Sequence, residues 1–440
     1  MIRSLGRVAL ACTAVVSTAW AAAADPIPSG WQASNMHPIG YSELGGRDAF
    51  KLAIRKVGDR WYLYMGHLWS HGWSIVDVTD PANPKYLKFI PGPDNTWTIQ
   101  MTLHGNLMVT ALQQSGAGWG NDMEKPFAEG VILWDISDPV NPVELSRWQT
   151  GSTGTHRNSY PGGKYAYLSA GMPGYKGNIL VVLDVSDPKN PKEAGRWWTP
   201  GQKDGEPPGT PPMGFHGPAV VSPDGRMASM GYGSAVVNLD IGDIAHPRPI
   251  GSLTFSPPFI SAGSQSQHSV LPLWDRKLLF ASSEASAEDC DTDALNYAAM
   301  IDNKDPAKPR LISLLPLPVP PADAPYKDFC DKGGRFGPHN TNQEIHLPDV
   351  EKPGNLIYLT YFNAGLRVFD VKDPHLPVET GWFIPPQPTV RRGPQPHTKL
   401  VQQTEDVLVD TRGNVYVDDK QWGLWVLRYT GPDQPAPADR

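Results

Sequence analysis

The sequence predicts an all-β protein, a seven-bladed β-propeller in which an N-terminal strand completes the last blade. Three observations predict this fold: a short motif that recurs along the chain, a composition rich in turn residues, and two chain ends that share one repeat. Of the 440 residues, 43 are glycine and 46 are proline, while only 19% are charged. Such a composition is typical of many short strands joined by turns.

The repeated unit is a short β-rich run, usually ending in aspartate, followed by a turn that resembles Asp-Pro-x-x-Pro. In the clearest copy, residues 366–370 precede the turn Asp373-Pro374-His375-Leu376-Pro377. Proline at these positions cannot continue a helix or a central strand, and aspartate favours a turn. The closing aspartates of the six copies are Asp77, Asp135, Asp184, Asp240, Asp302 and Asp370.

A seventh copy begins in the same way at residues 423–428 but lacks its turn. The missing outer strand is predicted at the other end of the chain, where residues 37–44 resemble the strand that follows the turn at residues 247–253. A closed ring needs this sharing, because an open array would leave edge strands unpaired.

A further hairpin turn precedes each run, for example at Gly58-Asp59 and at residues 223–225. Each repeat therefore predicts four strands in about 40 to 60 residues, the size of a propeller blade. The copies resemble the LVIVD repeat, whose family forms β-propellers, over roughly residues 35–430. The resemblance implies a fold and no particular activity. The architecture is also similar to that of the selenium-binding and methanethiol oxidase propellers.

The sequence predicts three segments: a signal peptide, a propeller and a C-terminal tail. Residues 1–24 predict a secretory signal peptide, because Arg3 and Arg7 precede an apolar run and small residues follow it. A lipid anchor on Cys12 is the alternative. We expect the propeller at residues 35–430, a flexible tail at residues 431–440, and a periplasmic or secreted location.

The net charge and the hydropathy of the chain limit the kinds of partner that we expect. The formal net charge is −7, so nothing favours a nucleic-acid partner. After the predicted signal peptide no stretch approaches the ~20 apolar residues that a membrane span needs. We expect a small-molecule substrate, and the number of subunits stays open.

Two cysteines, Cys290 and Cys330, remain after the predicted signal peptide. Cys290 falls in the predicted middle hairpin of blade 5, and Cys330 falls in the link to blade 6. Both positions lie on one side of adjacent blades, so we predict a disulfide in an exported protein.

The predicted topology assigns each of the 12 histidines to a face. The hairpin between the first two strands of a blade and the turn between the last two lie on one face, here called the bottom face. The middle hairpin and the link to the next blade lie on the top face. The bottom face receives His37, His104, His246 and His375. The top face receives His67, His71, His156, His216, His268, His339, His346 and His397.

Five top-face histidines are the candidate ligands of one transition-metal ion: His156, His216 and His268, with either His339 or His397 as the fourth ligand. A single buried histidine is usually a packing residue, but these come from successive blades and are expected to converge on the axis. Imidazole nitrogen favours iron, copper or zinc over magnesium or calcium. Further candidates at the same mouth are His67, His71, His346 and Glu284.

Three carboxylates are candidate catalytic groups, namely Glu344, Glu405 and Asp406. Each is expected near the same mouth, to act as a base or to orient an imidazole. The alternative for each is an ordinary carboxylate at the surface or at a strand end.

These observations lead to one hypothesis and one alternative. The hypothesis is an exported metal-dependent enzyme acting on a small organic substrate, with oxidation preferred over hydrolysis or elimination. The alternative is a non-catalytic propeller that binds a ligand or another surface. The sequence lacks the G-x-S-x-G, H-E-x-x-H, C-x-x-C-H and G-K-[ST] motifs, which argues against serine hydrolases, zincins, c-type haem proteins and P-loop proteins.

Overall fold

The computed structural model describes residues 24–209, 214–255, 267–293 and 296–433, which form seven four-stranded antiparallel sheets arranged as a β-propeller. The predicted fold is confirmed. Apart from residue 24, the predicted signal peptide lies outside the described residues, and so does the predicted tail from residue 434 onwards. Within the described ranges, no helix is long and apolar enough to cross a membrane.

The strands are numbered along the chain, and two of them precede the first blade: β1 (Gln32–Ser34) and β2 (Met36–Ser42). Blade 1 contains β3 (Leu52–Val57), β4 (Arg60–Gly66), β5 (Gly72–Asp77) and β6 (Lys85–Pro91). Blade 2 contains β7 (Met101–His104), β8 (Leu107–Leu112), β9 (Gly130–Asp135) and β10 (Val143–Trp148). Blade 3 contains β11 (Gly154–Ser159), β12 (Tyr165–Gly171), β13 (Asn178–Asp184) and β14 (Lys192–Trp197).

Blade 4 contains β15 (Val220–Val221), β16 (Met227–Tyr232), β17 (Ala235–Asp240) and β18 (Arg248–Thr254). Blade 5 contains β19 (Ser269–Leu273), β20 (Leu278–Ser282), β21 (Ala298–Asp302) and β22 (Arg310–Leu314). Blade 6 contains β23 (Leu356–Thr360), β24 (Leu366–Asp370) and β25 (Val378–Ile384), and blade 7 contains β26 (Thr404–Val409), β27 (Asn414–Asp419) and β28 (Gly423–Tyr429). The helical segments described are α1 (Phe329–Lys332) and three short 3-10 turns at Leu44–Gly46, Ala117–Trp119 and Trp274–Arg276.

Strand β2 closes the ring. It pairs antiparallel with β28, with Met36 opposite Tyr429 and Ser42 opposite Leu424, so it is the outer strand of blade 7 as predicted. The inner strand of that blade, β26, contacts β3 of blade 1. The last blade therefore joins the first, and β28 is not left as an open edge.

The recurring aspartates hold the turns of the bottom face. The carboxylate of Asp135 accepts a hydrogen bond from the backbone N–H of Ser137, and Asp138 accepts one from Val140. The equivalent pairs in blades 3 to 6 repeat this arrangement. Each is a turn in which the side chain replaces a backbone acceptor, which explains why aspartate recurs there.

Blade 6 departs from the predicted pattern at its inner edge. In the part of the chain that the structure describes, the segment after His339 pairs with β23 through an isolated bridge, between Thr341 and Leu359, rather than as a regular strand. The hydroxyl of Thr341 donates to the backbone oxygen of Tyr358, so a polar side chain bonds where ladder pairing is expected. Strand β1 adds a fourth strand on the outside by pairing with β25, and it begins before the predicted domain start at residue 35.

Truncating a buried aromatic ring on the closing strand should destabilise the whole propeller. Tyr41 on β2 is buried, and its ring lies 4.9 Å from that of Trp425 between centroids. We expect Tyr41→Ala to lower the free energy of unfolding by about 3–5 kcal/mol, measured by chemical denaturation. His37→Ala is the matched control, because His37 is exposed on the same strand, and its effect should stay near ~0.5 kcal/mol. Equal losses in the two variants would contradict the role assigned to the closing strand.

Candidate metal centre

Four of the five histidines predicted as metal ligands meet at the top of the propeller axis. His156 lies on β11, and His216, His268 and His339 lie in the links that enter blades 4, 5 and 6. Successive rings in this row are 4.6, 4.1 and 4.6 Å apart between centroids. His156 is partly buried, and the other three are buried. These four are called the axial histidines below.

Three axial histidines have their Nδ1 atoms beside hydrogen-bond acceptors. His156 Nδ1 is 2.7 Å from Gln113 Oε1, and His339 Nδ1 is 2.8 Å from the backbone oxygen of Glu405. His268 Nδ1 is 3.2 Å from the backbone oxygen of His339. A proton on Nδ1 leaves the lone pair on Nε2, so each ring offers Nε2 as a ligand or a base.

The Nε2 atoms surround the carboxylate of Glu284, which follows β20 in the middle hairpin of blade 5. The distances to Glu284 are 3.5 Å from His268, 3.7 Å from His339 and 3.9 Å from His216. His156 Nε2 lies 2.9 Å from His216 Nε2. Donor atoms of His216, His268 and Glu284 all lie within 4.8 Å of one another. Nitrogen donors with one carboxylate are a donor set that transition metals accept.

The axial histidines line a cavity of about 300 Å³ on the top face. The same cavity is lined by Phe50, Trp97, Ile99 and Trp119, which pack together. The ring of Phe50 is 5.7 Å from that of His339. The cavity therefore combines a group of imidazoles with a group of apolar side chains, called the aromatic cluster below.

Burial keeps the axial histidines neutral. The pKa of His156 falls to about 3, first because it is buried and then because Arg157 is positively charged. Burial also holds the pKa values of His216, His268 and His339 well below the ordinary range, with neighbouring positive groups adding to the effect. All four are therefore uncharged at neutral pH, the form that binds metal ions. Burial raises the pKa of Glu284.

Two cations compensate the carboxylates next to the axial histidines. Arg335 donates from a terminal guanidinium nitrogen to Glu284 Oε1 at 3.0 Å. Lys420 Nζ lies 2.6 Å from Glu405 Oε1, and the other oxygen of Glu405 is 3.3 Å from His339 Nδ1. Glu405, predicted as a catalytic group, therefore orients His339 from outside the cavity lining.

Glu344 and Asp406, the other two predicted catalytic carboxylates, belong to a buried ion-pair network. Lys51 Nζ lies 3.1 Å from Glu344 Oε1 and 3.1 Å from Asp406 Oδ2. Neither carboxylate is among the described residues that line the cavity of the axial histidines. Arg157, also buried, approaches His216 Nδ1 to 3.4 Å and donates to the side-chain oxygen of Asn340. We therefore assign Glu344 and Asp406 a structural role in the ion-pair network around the propeller axis.

Glu344 and His346 line a different cavity, of about 580 Å³, together with the first hairpins that form the bottom face. The prediction that all eight top-face histidines share one mouth is therefore wrong for His346. An inner segment enters its blade from the top link and leaves at the bottom hairpin. Seven residues separate His339 from His346, enough for the chain to cross from one face to the other.

Three further predicted residues lie outside the lining of the top-face cavity. His67 is buried, and its two ring nitrogens bond to the backbone oxygen of Asp48 and the hydroxyl of Ser74, which makes it a packing residue. His71 Nδ1 is 2.7 Å from the backbone oxygen of Thr96. His397 is exposed on the long link to blade 7, where its backbone N–H donates to Glu288, and it does not join the axial histidines in the cavity lining.

Sequence reasoning missed Arg335 and Gln113. Arg335 follows Cys330 by five residues in the link that leads to His339. The predicted disulfide at Cys330 could therefore have indicated that Arg335 lies close to the hairpin of blade 5. Gln113 directly follows β8, and no sequence pattern distinguished it from other polar residues that end strands.

The predicted disulfide between Cys290 and Cys330 is present, with Cα atoms 5.8 Å apart. Cys290 lies in the hairpin that carries Glu284, and Cys330 lies in α1, shortly before Arg335. The bond therefore ties together the two segments whose side chains form the Glu284–Arg335 ion pair.

The neutral histidines predict acid sensitivity in the metal-free protein. Their pKa values are lower in the folded state than in the unfolded chain, so the unfolded chain binds more protons below about pH 6.5. We expect the free energy of unfolding to decrease as the pH is lowered through about 6.5, and below about pH 5.5 the loss should approach about 1.4 kcal/mol per pH unit for each such histidine, measured by denaturation at a series of pH values. His268→Gln removes one of these buried histidines and should therefore reduce the slope by the contribution of one histidine. An unchanged slope in His268→Gln would refute the assignment.

Removing the disulfide should destabilise the protein. The bond closes a loop with a sequence separation of 40 residues, and loss of such a cross-link costs about 2–4 kcal/mol. We expect the Cys290→Ser/Cys330→Ser protein to unfold at lower denaturant, and reductant should bring the wild type to the same midpoint. The double variant itself should not respond to reductant. A response there would show that the reductant acts elsewhere.

Comparison with known proteins supports the fold. The model of the LVIVD repeat matches residues 162–199, and no curated protein matches the chain. The structure of the Pseudomonas aeruginosa periplasmic gluconolactonase PpgL is similar with a TM-score of 0.53 and 12% sequence identity, covering 86% of this chain and 99% of that one. A protein from Lactobacillus plantarum is similar with a TM-score of 0.49 and 12% identity, covering 88% of this chain and 97% of that one.

At such identities the likeness to PpgL concerns the fold alone. The seven blades, the ring closed by β2 and the matched repeat lead to the same conclusion. This chain is a seven-bladed β-propeller in which residues 162–199 match the LVIVD repeat.

Proposed function

We propose that the protein is an exported metal-dependent enzyme that binds one transition-metal ion at the axial histidines and acts on a small organic substrate in the top-face cavity. The observation that carries this proposal is the convergence of four neutral imidazoles from consecutive segments: those of His216, His268 and His339 surround the carboxylate of Glu284, and that of His156 contacts His216. Single buried histidines are common packing residues, but a row of four that share one cavity is not explained by packing.

The donor geometry supports one ion. Two nitrogens bound at about 2.0–2.1 Å and at right angles to each other are about 3 Å apart. His156 Nε2 and His216 Nε2 are 2.9 Å apart. The Nε2 of His268 is 3.5 Å from Glu284 Oε2, a separation that a wider angle between ligands accommodates. The Nδ1 contacts of His156 and His339 fix the orientation of the two rings. Hydrogen-bond partners of metal-bound histidines commonly have the same effect.

Imidazole ligands suit iron, copper and zinc. Iron or copper would supply redox chemistry at this place, and zinc would supply Lewis-acid chemistry. We favour an oxidative reaction, and hydrolysis or elimination is the alternative within the same proposal. The name of the similar structure, a periplasmic gluconolactonase, agrees with an exported enzyme that acts on a small molecule.

The residues around the ion have separate tasks. Glu284 has a raised pKa and faces three Nε2 atoms, so it is placed to hold or accept a proton at the cavity. Arg335 fixes that carboxylate. The aromatic cluster reduces the access of water, which strengthens the electrostatic interactions of a bound substrate.

Export is part of the proposal. A disulfide joins Cys290 to Cys330, and disulfides persist in oxidising compartments. The predicted signal peptide at residues 1–24 agrees with a periplasmic or secreted location. A partner other than a small molecule is not needed for the proposed reaction.

Elemental analysis of the protein purified from the periplasm tests the metal site. We expect close to one transition-metal ion per chain, and we expect His216→Ala combined with His268→Ala to reduce the metal content at least tenfold. His246→Ala is the matched control, because this histidine is exposed in a turn of the bottom face. Circular dichroism and the unfolding midpoint establish that each variant is folded.

A folded wild-type protein that contains no metal, and takes up none from iron, copper or zinc salts, would reject the proposal. That outcome favours the non-catalytic alternative, in which the cavity binds a ligand without metal chemistry. Gln113→Ala refines the result, since loss of the acceptor for His156 Nδ1 should weaken metal binding by about 10–100-fold while the ligands remain.

A further inference from the structure

We propose that the substrate is a single-ring aromatic compound that carries an oxygen substituent, a carboxylate or a phenolic hydroxyl. This inference rests on the proposed function, because it places the oxygen at the axial histidines. The inference goes beyond that function because it places the aromatic ring of the substrate against the aromatic cluster, which lines the same cavity.

The aromatic cluster offers the kind of surface on which an aromatic ring packs. Trp97 and Trp119 are arranged edge to face, with centroids 5.3 Å apart. Phe50 and Ile99 pack against them and also line the cavity. Aromatic pairs gain about 0.5–1.5 kcal/mol beyond the area that they bury, so this surface favours a flat ring over an aliphatic group of equal size.

The remaining lining suits an oxygen ligand. The axial histidines present neutral Nε2 atoms, and the guanidinium of Arg335, paired with Glu284, belongs to the same lining. The guanidinium of Arg335 also lies 3.8 Å from the ring centre of Phe362 and 5.3 Å from that of Trp119. The charge is thus held next to the aromatic cluster, where a ring and its acidic substituent can contact both.

Volume limits the ligand to about one ring. The cavity holds about 300 Å³, at the lower end of the range of small-molecule sites. Besides the axial histidines and Arg335, the polar side chains among the described lining residues are Gln100, Glu284 and Ser286. The aromatic cluster is the apolar part of the lining, and the axial histidines with Glu284 and Arg335 form the main polar part. The lining therefore favours a ring with one polar end.

Binding of benzoate, phenol and cyclohexanecarboxylate to the metal-loaded protein tests the proposal by isothermal titration calorimetry. Cyclohexanecarboxylate matches benzoate in size and charge but lacks the aromatic ring. We expect benzoate or phenol to bind, with benzoate at least threefold tighter than cyclohexanecarboxylate if the carboxylate is the preferred group. Phenol binding more tightly than benzoate identifies the hydroxyl as that group, and both results support an aromatic ligand.

Trp97→Leu should weaken binding of the preferred aromatic probe by about two- to tenfold. Trp274→Leu is the matched control, because Trp274 lines the bottom-face cavity, and it should leave the affinity unchanged. Phe50→Leu provides a second variant of the aromatic cluster if Trp97→Leu fails to fold.

Two results would overturn the inference: metal-loaded protein that binds neither benzoate nor phenol, or, where benzoate is the preferred probe, equal affinity for benzoate and cyclohexanecarboxylate. Metal content measured on the same samples shows whether the inferred substrate class alone has failed or whether the proposed metal site has failed as well. A protein that retains its metal but shows no aromatic preference keeps the metal centre and loses only the substrate class.

Discussion

The pairing of β2 with β28 is the constraint on which the rest of the structure depends. It joins the two ends of the chain and brings β26 of blade 7 against β3 of blade 1. Once the ring is closed, every inner strand lies beside the axis and is entered from the top face. A histidine at such an entry therefore approaches the axis whichever blade carries it. The meeting of His156 with His339 across blades 3 to 6 follows from closure and not from any local motif.

Burial then determines the chemistry at the axis. A lone buried charge is costly, so the carboxylates there are paired with cations: Glu284 with Arg335, Glu405 with Lys420, and both Glu344 and Asp406 with Lys51. The imidazoles avoid the same cost by remaining neutral. Charged groups on the axis are thus engaged with one another, and the neutral Nε2 atoms remain as the donors facing the cavity.

Face assignment from the repeat identified the four axial histidines, Glu284 and the disulfide, because these depend only on which hairpin or link a residue occupies. It failed for His346, since a residue at the end of an inner segment lies on the bottom face. His397 lies beside the middle hairpin of blade 5 on the predicted face but outside the cavity lining, because the course of a long proline-rich link cannot be deduced from strand patterns. Arg335 and Gln113 were missed because they act through contacts between blades, which leave no periodic signal.

The sequence by itself determined the repeat, the number of blades, the closing strand and the face on which each turn lies. These features follow from local rules, in which aspartate and proline define turns and β-rich runs define strands. Only the tertiary structure decided which histidines share a cavity, which carboxylate they surround and which cations neutralise the axis. Those relations depend on distances between side chains from different blades, and such distances exist only after the ring has closed.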